Sequence, residues 1–247
     1  MASEKASGII VRGTDYSESS RIATLWTKEM GKVQVLAKGA RRPKSNFESA
    51  LDLLTLCSIV LIRKTSGGLD LLTEARVLQR FAGLRRDLSA LYMGYYIAEL
   101  LSDLTEDHDP HPLLFDATIE TLSQLGLPGA VNAQLLMQWE SALLRELGYS
   151  PQLKTCTGCR RELPKATVMT YSAAAGGMTC GTCRVSPRGL VRIKPATWLA
   201  LQELMQGKAL EPASLTKPML QEMRQVLNET VTYLLGRRPR LMAYLGS

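Results

Sequence analysis

Histidine is almost missing from this sequence: His108 and His111 are the two present in 247 residues, both within "EDHDPHP". No His-x-Glu pair occurs, which excludes the zinc-dependent nucleobase deaminases, whose chemistry needs that glutamate beside the metal. Next to Asp107 and Asp109 the two histidines imitate a metal site. Pro110 and Pro112 instead dictate a turn, so a helix-initiating surface loop is the expected reading. Aromatic residues are scarce too, at 6%, with Tyr16 and Trp26 the early candidates for stacking on bases and Trp26 equally suited to a core. That scarcity points away from tight base stacking. No apolar run approaches the length of a membrane span, and the start "MASEKASGIIV" lacks a secretory pattern. A Walker-type glycine-rich loop, a nucleophile elbow and a paired-carboxylate motif are also absent. The expectation is a soluble, cytoplasmic, non-membrane protein that is not an enzyme.

What the chain does contain is charge in blocks. Its formal net charge is +7. Residues 1–83 carry 13 Lys and Arg against 8 Asp and Glu, and 84–150 carry 3 against 10. Residues 151–194 carry 8 against 1, and 195–247 carry 6 against 4. A well-solvated surface explains the total but not the eight-to-one block, which suggests a polyanionic partner.

Hydrophobic periodicity divides the chain in a similar way. Between Ala6 and about Phe81, "GIIVRG", "RIATLWT", "GKVQVLAKG", "LTLCSIVLIRK" and "LDLLTEARVL" are short β-rich runs. Gly67 and Gly68 mark a tight connection between the last two. Five such strands suit a small closed barrel, with the oligonucleotide/oligosaccharide-binding (OB) fold leading and an SH3-like barrel giving nearly the same pattern. From Leu84 the period becomes helical, through Leu84, Leu88, Leu91, Tyr95, Ala98 and Leu101. A second helix starts at Asp109 and Pro110, and a third runs from about Val131 to Leu147. Two amphipathic helices follow residue 194, then the basic tail Arg237–Arg240. The fold class is thus multidomain α+β: an N-terminal OB-fold barrel over 1–83, a helical bundle from 84–150 and 195–247, and a cysteine module inserted at 151–194.

That module contains Cys156-x2-Cys159 and, twenty residues later, Cys180-x2-Cys183. The fifth cysteine, Cys57, lies in an apolar run and reads as core. Two paired knuckles match a tetrahedral four-cysteine zinc-finger site, and four thiolates leave no coordination position for water, so one structural zinc per chain is expected. A redox pair would need one Cys-x-x-Cys at a helix start. With only Val168, Met169, Tyr171 and Met178 as apolar filling, the module's fold should depend on the metal. Arg160, Arg161, Lys165, Arg184, Arg188, Arg192 and Lys194 surround the cysteines, and arginine suits phosphate. In the barrel, "AKGARRPKS" gathers Lys38, Arg41, Arg42 and Lys44 in one loop, either a solvated connection or an edge that binds nucleic-acid backbone.

The order of these features, and above all "DYSESSRI", "GKVQVLAKGARRPKS" and "ELGYSPQLKTCTGC", resembles the bacterial RecO family of recombination mediators over essentially the whole chain. The resemblance implies an OB-fold barrel, a helical core and, where the cysteines are kept, a zinc module. It also implies binding of single- and double-stranded DNA, strand annealing, contacts with RecR and the single-strand-binding protein, and an indirect role in loading RecA. On this sequence the matching residues are Lys38, Arg41, Arg42 and Lys44, and Cys156, Cys159, Cys180 and Cys183. The competing reading is a zinc-ribbon transcription regulator, which would need a recognition helix with cations and amides facing a major groove.

Overall fold

A computed structural model describes residues 3–47, 50–64, 68–164, 168–183, 189–208 and 210–245. Gly67 lies outside them. The chain divides into two compact units, Met1–Pro128 with Ala243–Leu245, and Gly129–Met242 with Gly246–Ser247. The boundary falls inside the block 84–150 that reads as one helical segment.

In the first unit, β1 (Ser3–Asp15), β2 (Arg21–Thr27), β3 (Gly31–Ala37), β4 (Thr55–Ile62) and β5 (Asp70–Arg80) close into a barrel in the order β1-β2-β3-β5-β4. All pairs are antiparallel except β3 with β5, where Val35 meets Asp70 and Leu36 meets Leu71. That single parallel seam, closing a five-stranded Greek-key barrel, is the OB arrangement and removes the SH3-like alternative. Strict alternation in β3 and β4 sends Val33, Val35, Cys57, Ile59 and Leu61 inward. β2 is buried on both faces from Ala23 onward. Its outer Trp26 is fully buried and lies 5.7 Å, centroid to centroid, from Phe115. Trp26 is therefore core, whereas Tyr16 is 63% exposed.

Helix α1 (Leu88–Leu104) starts where the Asp87 carboxylate accepts from the N–H groups of Ser89 and Ala90 at 2.8 and 3.2 Å. Its buried residues are Ala90, Met93, Gly94, Tyr96, Ile97, Ala98, Leu100 and Leu101; of the expected stripe Leu84, Ala98 and Leu101 are buried, Leu91 and Tyr95 are half-buried, and Leu88 is 64% exposed. The cause is a phase break. Leu84 belongs to a short 3-10 turn, Ala82–Arg85, and the helix restarts only after Asp87. A side chain at Gly94 would come within 2.8 Å of Leu54 Cδ1, so glycine sets the depth at which α1 seats. Helix α2 (Pro112–Gln124) starts at Pro112, two residues beyond the expected start. The preceding loop is held to β3: Lys32 Nζ donates to the carbonyls of Ser102 and Thr105, and His108 N–H donates to Lys32 O at 3.0 Å. The helix can begin only beyond that tether.

The second unit contains α3 (Asn132–Glu146), the cysteine segment, a sheet of order β7-β6-β8, then α4 (Pro195–Met205) and α5 (Lys217–Leu235). The strands are β6 (Met169–Ser172), β7 (Gly177–Thr179) and β8 (Leu190–Ile193). Tyr171, Met178, Val191 and Ile193 of the sheet share one core with Leu144 of α3, Trp198 and Leu201 of α4, and Leu227 of α5. Trp198 Nε1 donates to Leu153 O at 2.7 Å, pinning the chain just ahead of the first cysteine. The module's apolar filling is larger than its own four candidate residues: its strands pack against helices that the sequence places far away, and Val168 is exposed. Glu140, fully buried, takes both carboxylate oxygens to Arg224, whose Nε also donates to Asn228 at 3.0 Å.

Candidate metal centre and nucleic-acid interface

The two Cys-x-x-Cys turns converge. The ligand atoms of Cys156, Cys159, Cys180 and Cys183 all lie within 4.8 Å of one another, and Cys159 Sγ is 3.8 Å from Cys180 Sγ. A tetrahedron with ~2.3 Å metal–sulfur arms has edges of about 3.8 Å, so this set could hold a metal ion and is compatible with zinc. Local hydrogen bonds build each turn. Cys156 N–H donates to Arg161 O at 2.9 Å and Arg160 N–H to Cys156 O at 2.8 Å, with Arg160 in the left-handed region at φ 61°. In the second turn, Cys183 N–H donates to Cys180 O at 3.2 Å. The first turn is fastened to β7 by Thr157 N–H, which donates to Met178 O at 2.9 Å. Gly158 lies where a Cβ would sit 2.8 Å from Cys183 Cβ, so only glycine lets the knuckles approach this closely.

Groups around the sulfurs favour negative charge on some of them. Cys180 is drawn down to about 5, first by the Thr182 hydroxyl and then by backbone N–H groups of Cys183 and Thr182. Cys159 is held below the ordinary thiol value by Arg161. Cys183 is pushed up to about 12 by its contacts with Cys180 and Cys159. Four adjacent thiols cannot all ionise unaided; a divalent cation removes the conflict because each thiolate is then paired with positive charge.

The flanking cations take different positions. Arg160 and Arg161 are both exposed, and Arg161 Nε donates to Cys159 Sγ at 3.4 Å. Arg192 projects from β8 opposite Thr170, beside a depression of about 320 Å³ that Cys180 and Thr179 also line. Lys194 Nζ is 3.9 Å from Glu222, and its N–H donates to the same carboxylate at 3.0 Å. Lys165, Arg184 and Arg188 lie outside the described residues.

In the barrel, Lys38, Arg41, Arg42 and Lys44 are all exposed on the β3–β4 connection. Arg41 ties this connection to the β1–β2 loop. Its N–H donates to Ser19 O at 3.1 Å, its Nη1 to Ser17 O at 2.8 Å, and its Nε lies 3.4 Å from Asp15. Arg21 sits on the other side of Asp15, at 3.6 Å, and donates to Leu51 O at 3.4 Å. Among the described residues the side chains of Lys38, Arg42 and Lys44 make no hydrogen bond or ion pair. Tyr16 stands in the same β1–β2 loop, its N–H donating to Ser20 O at 3.1 Å. Arg21, not among the residues expected from the sequence, heads β2 directly after the polar "DYSESS" loop, the position that marks it as a rim residue.

Residues 1–81 match the family model for the Recombination protein O N terminal, and residues 85–242 that for the Recombination protein O C terminal. The chain belongs to the RecO family. DNA repair protein RecO of Rhodopirellula baltica is 37% identical, covering 96% of this chain and 97% of its own length. RecO of Anaeromyxobacter dehalogenans is 34% identical over 95% of this chain and 92% of its own, and RecO of Dehalococcoides mccartyi 28% over 98% and 95%. The likeness to RecO proteins therefore spans both compact units. Among the described residues no helix is long and apolar enough to cross a membrane.

Proposed function

We propose that this RecO-family protein is a non-catalytic, cytoplasmic recombination mediator that binds single- and double-stranded DNA through its phosphates and promotes annealing of complementary strands. With RecR it helps load RecA onto DNA coated by the single-strand-binding protein. The observation that carries this reading is the exposed loop Lys38, Arg41, Arg42 and Lys44, fastened by Arg41 to the tyrosine-bearing β1–β2 loop of an OB barrel. OB barrels bind oligonucleotides with such loops, and unpaired cations on a fixed rim suit a phosphate chain without reading bases. Neutralising phosphates on two strands lowers their mutual repulsion, which is the barrier to annealing.

Cys156, Cys159, Cys180 and Cys183 hold one zinc ion in this reading. The ion supplies a closed, structural coordination centre that keeps the two knuckles together. Arg160, Arg192 and Lys194 are further cations for DNA in this reading, as are Arg184 and Arg188, which lie outside the described residues. The rival regulator reading loses support from α5, its best recognition helix: Met223, Val226 and Leu227 are buried and Arg224 is committed to Glu140.

Equilibrium binding to unrelated single-stranded oligonucleotides, and to duplexes of the same sequences, tests the proposal. Affinities that agree within a few-fold across sequences are expected. Protection of one defined duplex site, unaffected by single-stranded competitor, would overturn it in favour of a regulator.

A further inference from the structure

Two adjacent arginines, Arg160 and Arg161, follow the first cysteine pair, and the fold sends them in different directions. Arg160 occupies the left-handed region, which reverses the chain at the knuckle. Beyond it the chain runs antiparallel to its own start: Thr155 bridges Glu162, Cys156 N–H donates to Arg161 O, and Leu163 N–H donates to Lys154 O at 3.4 Å. Arg161 is thereby turned back toward the sulfurs. Its guanidinium Nε donates to Cys159 Sγ at 3.4 Å. A charged side chain thus donates directly to one ligand sulfur.

We propose that Arg161 is a positioning residue of the metal centre rather than a contact for nucleic acid. Four thiolates around a divalent zinc leave a net charge of −2, and Cys156 is fully buried beneath them. The other sulfurs have smaller donors: Cys180 N–H reaches Cys156 Sγ at 3.3 Å, and the Thr182 hydroxyl lies 3.1 Å from Cys180 Sγ. Among the described residues Arg161 supplies the one full positive charge hydrogen-bonded to a ligand sulfur. It offsets part of the excess negative charge, and its hydrogen bond fixes the rotamer from which Cys159 faces the other three sulfurs. A supporting partner of this kind contributes about 10- to 100-fold to metal affinity. The inference rests on the reading of the four cysteines as a zinc site.

The test uses the full chain, purified without chelator, as wild type, Arg161→Gln, Arg161→Lys and Arg160→Gln. Zinc content and the rate of zinc transfer to excess 4-(2-pyridylazo)resorcinol are measured, together with the thiolate-to-metal charge-transfer band after cobalt substitution. Wild type and Arg160→Gln are expected to retain zinc alike. Arg161→Gln should release it roughly 10- to 100-fold more readily, with Arg161→Lys in between, and its cobalt band should shift while that of Arg160→Gln does not. If Arg161→Gln does not fold, the lysine variant and its cobalt spectrum still decide. Zinc-loaded wild type with equal release from Arg161→Gln, or an equal loss in Arg160→Gln, would overturn the inference and leave the zinc site standing. A wild-type chain without stoichiometric zinc would overturn both.

Discussion

Replacing Arg42 and Lys44 by glutamine separates phosphate binding from loop architecture. Neither side chain has a hydrogen-bonding or ionic partner among the described residues. Their backbones close two successive turns, Arg42 N–H to Gly39 O and Ser45 N–H to Arg42 O, each at 3.1 Å, and glutamine leaves those bonds intact. The double variant should therefore melt within about 0.5 kcal/mol of wild type, as surface changes do. Its DNA binding should change in a specific way. If both residues contact phosphate, the slope of log K against log salt for a single strand falls in magnitude by about 0.7 for each contact, or about 1.4 in all. Between 50 and 200 mM salt, wild type then loses about 7-fold more affinity than the variant. Arg41→Gln should behave differently. It removes the bond to Ser17 O and the pairing with Asp15, in which Arg41 and Asp15 are 42% and 55% exposed. That costs about 1 kcal/mol of stability, beyond any loss of binding. Fluorescence anisotropy of a labelled oligonucleotide across four salt concentrations, with thermal melts alongside, measures both effects. Parallel salt slopes for wild type and Arg42→Gln/Lys44→Gln would refute the assignment of this loop to phosphate.

Tyr16→Ala should weaken single-strand binding by about 1–3 kcal/mol if a base stacks on that ring and leave duplex affinity nearly unchanged. Equal losses on both substrates in a titration would count against stacking. Cys156→Ser with Cys159→Ser should abolish zinc retention yet keep the helical circular dichroism signal, because Trp198, Leu201 and Leu227 hold the second unit's core without the metal. Collapse of that signal would show the core to be metal-dependent after all. Glu140→Ala should destabilise the second unit by roughly 3–5 kcal/mol, leaving Arg224 without its carboxylate. Urea unfolding followed by tryptophan fluorescence checks it, and a loss under 1 kcal/mol would contradict the buried pair.

The barrel was legible because a strand buried on one face repeats with period two, and β3 and β4 show that period with little interruption. Its closure was not, since the decisive parallel seam between β3 and β5 joins segments some 35 residues apart and leaves no mark on either strand. The four cysteines were legible because knuckle spacing is fixed by the reach of two sulfurs toward one ion. The helix phases were harder. Leu84 and Leu88 continue a leucine rhythm across a 3-10 turn that breaks the helix, and two prolines near His111 are equal candidates for the first helical position until Lys32 ties down the residues before them. The core of the cysteine module was hidden for a different reason: its apolar partners, Trp198 and Leu227, come from later helices, so local composition understated it. Arg160 and Arg161 look equivalent in sequence and both are exposed; the reversal of the chain at the left-handed Arg160 brings only the Arg161 guanidinium onto a ligand sulfur.

Annealing of complementary oligonucleotides, followed by fluorescence quenching at two salt concentrations, tests the central claim most directly. Wild type should accelerate annealing of unrelated sequence pairs to a similar extent, more strongly at low salt. Charge reversal by Arg42→Glu and Lys44→Glu should slow it, and adding Arg160→Glu should slow it further. A wild-type chain that leaves the spontaneous annealing rate unchanged at both salt concentrations would contradict the account.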